Sequence, residues 1–370
     1  ELEDTVVTVG AGEPIRPLDS WLRSQGFVLP VHPDAFGETS VGSMVATGLT
    51  SGIGMVRGGI DRWITGLKVV TGTGTVIQTG TSAAFKNTGH FLRDGLPDST
   101  GLFIGSEGTL GVIVEVSIRV IPTPWTMYAR GLHTDPLQIL SVGRSLCRDG
   151  LCDTFRSVRE HEPSGGGSIL DTPWKVFVSV DSPLDQEDAQ NRSIRVQKRL
   201  SEAGVTAIRL ERERETIRNG TQTEASPRWQ GPMGAHDEFR TRDYLCGMDI
   251  NAPYSAAESL IDTANEQALD ALHLSPSMIR TALYLAPEFV NIGLHTSVPQ
   301  NHGSSLAHEH RHRWLSKLAQ QPVVPYRLGH AWPPQMAAKI DPNRRALLSD
   351  IKRVLDPDSI LNPQHPLVSF

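Results

Sequence analysis

The sequence predicts an α+β chain of two domains: a glycine-dense region of short strands, then an antiparallel sheet with helices on one face. Three observations predict it. Twenty of the 34 glycines fall in the first 124 of 370 residues, so this third of the chain is built from tight turns or from backbone that approaches something closely. Beyond it, runs rich in β-branched and aromatic residues alternate with runs of helical period in two rounds, the order of a sheet covered on one side. Between the regions, Ile121-Pro122-Thr123-Pro124 stops a strand and marks a boundary.

The elements follow in order. Thr5–Gly10 is a β-rich run closed by Gly10-Ala11-Gly12, and Leu18–Gln25 is a short helix ended by Gly26. Gly66–Thr71 and Thr75–Thr79 flank Gly72-Thr73-Gly74 as a hairpin, and Gly111–Val120 alternates like a half-buried strand. In the second region Trp125–Leu132, Trp174–Val180, Val205–Leu210, Met278–Leu285, Phe289–Thr296 and Pro322–Arg327 read as strands. Pro136–Cys147, Asp185–Ala203, Ala256–Leu272 and Ser304–Ala319 read as helices, and the charged run Glu211–Arg218 as a solvated helix or loop.

Composition removes several classes of function. A formal net charge of -6 without a long basic run argues against a nucleic-acid surface. No apolar run reaches the ~18 residues of a membrane-spanning helix, and no secretory signal is visible. Three cysteines, Cys147, Cys152 and Cys246, cannot form a closed disulfide set, and their spacing is not a metal signature. Free or buried thiols in a reducing, cytoplasmic setting are the expectation.

Three glycine-rich segments carry chemistry: Gly42–Gly48 running on to Gly52 and Gly54, Val56–Asp61, and Gly105–Ile113. Side-chain-poor turns let backbone N–H groups hold phosphate oxygens without a lysine. Any one of them alone reads more readily as a turn in a sheet. A GxGxxG between strand and helix and a GxxxxGK[ST] loop are both absent, which argues against the nucleotide sites that those motifs build.

Taken together and in order, these segments resemble the rear part of the FAD-binding domain in the vanillyl-alcohol oxidase and p-cresol methylhydroxylase (PCMH-type) superfamily, closest to its glycolate oxidase and D-lactate dehydrogenase branch. The resemblance is carried by His32-Pro33-Asp34 with Thr39–Gly48, Arg57-Gly58 through Asp61, Leu67–Val70 with Gly74 and Gly80, Gly105-Ser106-Glu107-Gly108-Thr109-Leu110-Gly111 with Ile113, and the tail Leu355–Pro363. It implies FAD as cofactor, held by Pro33, Asp34, Thr39, Gly42, Ser43, Ala46, Thr47, Gly48, Gly52, Gly58, Glu107, Gly108, Gly111 and Ile113, with Glu107 bracing its turn rather than moving protons. It implies domains at 1–124 (flavin), 125–345 (substrate, or cap) and 346–370 (return to the flavin domain). Two departures are visible: Gly42-Ser43 stands where paired glycines are usual, and Arg57 where an aromatic precedes the glycine. The family also places a β-rich lobe with a pyrophosphate loop before a strand like the one near Thr5, so the expected polypeptide extends upstream of Glu1.

In such enzymes the cofactor takes the electrons, while the protein orients the substrate and manages its proton. The candidate catalytic cluster is Tyr326, Arg327 and His330, with His295 as a second base: Arg327 to clamp an anionic oxygen, His330 or His295 to take a proton, Tyr326 to donate to an oxyanion. The bland alternative makes Tyr326 a core aromatic and Arg327 an ion-pair residue. His302, His308, His310 and His312 surround Glu309, and without an HExxH or a third ligand they read as a helix surface, so no metal is assigned. The expected partner is a small hydroxylated molecule, first a 2-hydroxy acid, then a phenol or alcohol. Oxygen, a quinone or a cytochrome stay open as electron acceptor, and homo-oligomerisation stays open. The non-enzymatic alternative is a flavin-less scaffold of the same fold.

Overall fold

The computed structural model describes residues 2–33, 39–50, 52, 54–84, 88–93, 97–161, 168–212, 243–274, 279–299, 303–326, 338–363 and 365. The chain divides into two compact units: residues 1–50, 58–123 and 327–370 in the first, residues 51–57 and 124–326 in the second.

The first unit opens with β1 (Val6–Gly10), α1 (Ile15–Ser24), β2 (Phe27–Val28) and α2 (Val41–Ala46), then β3 (Ile64–Val70), β4 (Val76–Gln78), α3 (Thr81–Ala84), β5 (Val112–Arg119) and β6 (Ile121–Pro122). Its main sheet has the order β1-β5-β3-β4, antiparallel throughout. The predicted hairpin is β3–β4: Thr71 N–H donates to the Thr75 carbonyl, and Gly74 takes φ +78° in the turn. Helix α1 buries Ile15, Leu18 and Leu22, one stripe of a 3.6-residue period, and stops where Gly26 goes left-handed at φ +81°.

The second unit contains β7 (Trp125–His133), α4 (Pro136–Arg148), β8 (Thr154–His161), β9 (Trp174–Ser182), α5 (Gln186–Glu202), β10 (Thr206–Arg212), β11 (Asp243–Pro253), α6 (Ala257–Leu274), β12 (Ile279–Leu285), β13 (Phe289–Pro299), α7 (Gly303–Leu318) and β14 (Val324–Pro325). An eight-stranded antiparallel sheet of order β10-β7-β9-β8-β12-β13-β11-β14 organises it. Directly paired residues share a sheet face, so register alone sorts the two faces. One row runs Ala129, Val178, Phe155, Leu285, Val290, Ala252 across β7, β9, β8, β12, β13 and β11, and every member is buried. This apolar face lies under helices: a Cβ on Gly143 of α4 would meet Leu285 at 2.5 Å and Phe155 at 2.7 Å. Arg159, on the same face, stacks over Trp174 at 4.7 Å and donates to Asn265 of α6.

After β14 the chain returns to the first unit and forms α8 (Pro342–Leu355), started by Asp341, whose carboxylate accepts from Arg344 N–H. The expected return at 346 is therefore corrected to Arg327, and residues 51–57, expected in the flavin domain, group with the second unit. The physical reason for the second correction is local. Met55 packs with Val158, Ala282, Tyr284 and Ala286, Gly54 N–H donates to Thr154 Oγ1, and Arg57 pairs with Asp153 and Asp181. Strands β8 and β11 and helices α2 and α8 are additions to the expected list. The strand expected over Pro322–Arg327 shrinks to Val324–Pro325. Glu211 and Arg212 are the end of β10 rather than a helix, and the rest of that charged run lies outside the described residues. Cys147 and Cys152 are free, buried thiols 3.8 Å apart.

Candidate functional site

Chemistry collects on two surfaces, one in each unit. In the first unit the glycine segments meet. Gly42 sits so close to the end of β1 that a Cβ would lie 2.6 Å from Ala11 Cβ, and its N–H donates to the Ala11 carbonyl. Gly48 at φ +62° passes Gly105 at φ +71°, with 3.1 Å from a Cβ on Gly48 to Gly105 Cα. Gly105 and Glu107 N–H groups donate to the Val45 and Ala46 carbonyls, which closes the end of α2. A Cβ on Gly111 would strike Val69 at 2.4 Å, and Ile113 lies in β5 opposite Val69. The glycines at 42, 48, 105 and 111 are thus demanded by protein packing and by left-handed backbone. Because of them, what projects from this junction is small: Ser43 is exposed, and Ala46, Thr47, Gly48, Glu107 and Gly108 are half-buried.

Such a lining fits a flat dinucleotide. Its side chains are short and its hydroxyls belong to Ser43 and Thr47, while the Thr47, Gly48, Gly105 and Glu107 amides are taken up by protein carbonyls. FAD, if held at this junction, would lie against residues 43–48 and 105–108. Of the other expected contacts, Pro33 is buried and Thr39 half-buried, the latter accepting from Ile15 N–H. Gly58 at φ +103° folds against Arg62. Gly52 is buried in the second unit, and Asp34 lies outside the described residues.

Glu107 is the one non-glycine residue in the turn with positive φ, +49°. Its carboxylate accepts from His365 Nε2 at 2.9 Å and its carbonyl from Asn362 Nδ2. Bracing was the expectation for Glu107; the bracing groups, His365 and Asn362 at the far end of the chain, were not foreseen.

The second surface is the other face of the eight-stranded sheet. One residue along from the apolar row, the register reads Arg130, Phe177, Arg156, Tyr284, Asn291, Asn251. Two further rows are Val158, Ala282, Gly293, Asp249 and then Glu160, Arg280, His295. Arg156 and Arg280 are each only 1% exposed. Arg156 lies 5.1 Å from the Phe177 ring centroid, and Arg280 Nε lies 3.8 Å from Glu160, which also takes Lys175 at 2.8 Å. Asn291 donates to Asn251 at 2.9 Å. His295 Nε2 meets Asp249 Oδ1 at 3.1 Å. Gly293 makes that contact feasible, since a Cβ there would lie 2.1 Å from the same carboxylate oxygen. Among the described residues, His295 Nδ1 is buried with no hydrogen-bond partner.

Of the expected catalytic residues, His295 belongs to this face. Tyr326 is buried beside it, its N–H donating to the Asp249 carbonyl. Arg327 and His330 lie outside the described residues. Sequence reasoning missed Arg156, Arg280 and Asp249. No local signal marks them: β8 mixes Arg156 and Arg159 with Ser157, Glu160 and His161, β12 carries a single arginine, and only strand register brings these residues to one face.

A family of FAD binding domains matches residues 1–80, and the C-terminal domain of FAD-linked oxidases matches residues 328–365. The chain is 38% identical over 122 residues to D-2-hydroxyglutarate dehydrogenase of Xanthomonas citri pv. viticola, a stretch covering 33% of this chain and 24% of that protein. It is 32% identical over 122 residues to glycolate oxidase subunit GlcE of Escherichia coli, covering 33% of each. These alignments span between a quarter and a third of the relatives' own length. Among solved structures, substrate-bound p-cresol methylhydroxylase superposes with a TM-score of 0.79 at 14% identity, over all of this chain and 77% of the other, a likeness of fold. The chain thus carries an FAD-binding domain and part of the C-terminal domain of FAD-linked oxidases, and is related in sequence to a D-2-hydroxyglutarate dehydrogenase and a glycolate oxidase subunit.

Proposed function

We propose that this chain belongs to an FAD-dependent dehydrogenase or oxidase that oxidises a 2-hydroxy acid. The observation that carries the reading is Arg280 standing directly opposite His295 on a buried sheet face. Bound FAD supplies the two-electron acceptor for the substrate's C–H bond. Arg280 offers a guanidinium fork to the carboxylate, its Nε 3.8 Å from Glu160. Asp249 holds the His295 Nε2–H, which leaves the lone pair on Nδ1 to receive the hydroxyl proton. The related proteins named for D-2-hydroxyglutarate and glycolate support the substrate class.

A phenolic substrate is the second reading, favoured by the aromatic lining of the same face: Tyr128, Phe177 and Tyr284, with Tyr326 buried next to Asp249. The test is anaerobic mixing of the full-length protein with a panel of 2-hydroxy acids and 4-alkylphenols, following loss of the visible flavin band. Bleaching by the hydroxy acids is expected. Arg280→Lys is expected to raise KM about tenfold or more, and His295→Gln to lower kcat by two orders of magnitude or more. Bleaching by phenols alone selects the second reading. A colourless protein that takes up no added FAD returns the chain to the flavin-less scaffold.

A further inference from the structure

The first unit contains a chain of buried polar contacts that the proposed chemistry does not use. Lys352 on α8 is buried, and its ammonium donates to the Thr109 carbonyl at 2.8 Å, to the Asp356 carboxylate and to the Leu361 carbonyl. Asp356 also accepts from the Ile360 and Leu361 N–H groups at 3.0 and 2.8 Å. Burial pushes that carboxyl up, but the bond from Lys352 and the two backbone donors outweigh it and hold it below the ordinary carboxylate range. Gly72 leaves room for the cluster, since a Cβ there would come within 2.2 Å of Asp356 Oδ1. Two residues past Ile360, Asn362 turns left-handed at φ +45° and reaches the Glu107 carbonyl. His365, 1% exposed, then binds the Glu107 carboxylate at 2.9 Å.

Three of these bonds, from Lys352, Asn362 and His365, end on the same turn. Thr109 is held from one side, and Glu107 from the other by backbone and by side chain. A non-glycine residue in the left-handed region persists only when its surroundings over-determine it. The Glu107 N–H bond to Ala46 supplies one constraint; the C-terminal segment supplies two more at Glu107 and a third at Thr109. We infer that Lys352–His365 is a positioning clasp that sets the shape of the Gly105–Gly111 turn, with His365 as its positioning residue. On the flavin reading proposed above, flavin retention at residues 105–108 depends on that distant histidine.

The experiment compares His365→Ala and His365→Gln in the full-length protein, stripped of flavin and titrated with FAD by fluorescence quenching. The amide of Gln can still donate to Glu107. His365→Ala is expected to raise Kd about tenfold (~1.4 kcal/mol), with an altered visible dichroism of bound flavin. His365→Gln is expected to stay within about threefold of the parent, and the far-ultraviolet dichroism of both apo-proteins to match it. Parent affinity in His365→Ala overturns the clasp, as does an equal loss in both variants. Should His365→Ala not fold, Glu107→Gln decides, since it weakens the same pair while keeping an acceptor: a raised Kd supports the clasp and an unchanged one overturns it. A parent protein that does not bind FAD at all sinks the flavin reading instead, a separate outcome.

Discussion

Arg57 shows how much one departure from a family pattern can explain. It stands where an aromatic is usual, and its guanidinium bridges Asp153 at 3.1 Å and Asp181. Asp181 also accepts from Thr126 Oγ1 at 2.6 Å and donates its N–H to Asp153 Oδ2 at 2.7 Å. Burial, the largest influence, pushes Asp153 above the ordinary carboxylate range; Arg57 pulls it down and the Asp181 charge pushes it up. Removing Arg57 leaves two neighbouring carboxylates with less counter-charge. Arg57→Met is expected to cost about 3 kcal/mol, the low end for breaking a buried pair, because Arg57 and Asp153 keep some solvent. The sign of the pH dependence follows from the raised carboxyl. The folded state then holds more protons than the unfolded one between the unfolded and the folded pKa, so its stabilising contribution is complete below the unfolded value and is lost as pH rises through the folded one. Loss of Arg57 removes the charge that lowers Asp153, so that carboxyl rises further and the window widens. Urea titrations at pH 5 and pH 8 should find the variant's deficit larger at pH 8. A deficit equal at both, or larger at pH 5, would contradict the assignment of the pair.

At the scale of elements, what was legible depended on whether the signal was local. Helix α4 announces itself with Asp135-Pro136, and the structure has Asp135 accepting from Leu137 N–H at 2.8 Å with the proline in the first turn. Strand β3 and its hairpin were legible because Gly74 has no alternative conformation to offer a side chain. Strand β8 was not, because Arg156, Arg159, Glu160 and His161 make it read as a polar linker; its burial comes from partners on both sides, Phe177, Trp174 and Asn265, which no local pattern announces. The candidate site splits in the same way. The glycine junction was readable from its residues, whereas Arg280 opposite His295, and Asp249 beside it, exist only through the register of β12, β13 and β11. Gly143 was unreadable too: a helical glycine looks like a defect worth ~1 kcal/mol against alanine. Its role is to let α4 sit on Leu285 and Phe155. Gly143→Ala should therefore lower stability by about 1 kcal/mol or more despite its better helix propensity. Exposed Ser141→Ala on the same helix should lower it little or not at all, and guanidinium titration of the pair reads the difference. A stabilised Gly143→Ala would show that α4 can lift off the sheet without cost.

For the molecule as a whole, the order of residues and the grouping of residues disagree, and that has a consequence. Residues 51–57 lie in sequence within the first unit and in space within the second. They bring Met55 to Val158 and Ala282, the Gly54 N–H to Thr154, and Arg57 to Asp153 and Asp181. A cut at the apparent boundary near Pro124 would leave the second unit with an apolar site unfilled and two carboxylates without their arginine. The fragment 124–326 is therefore expected to melt well below the full chain. A peptide of residues 50–58 should restore part of the loss, because a ligand that binds only the folded state raises stability by mass action, about 2.7 kcal/mol at a hundredfold excess over its Kd. The same peptide carrying alanine in place of Arg57 should restore much less, since it brings the methionine but not the charge. Thermal melts of the fragment with each peptide across a concentration series test this directly. A fragment whose midpoint is indifferent to both peptides would mean that the sheet closes over that site unaided, and that residues 51–57 rest on the second unit without helping to hold it together.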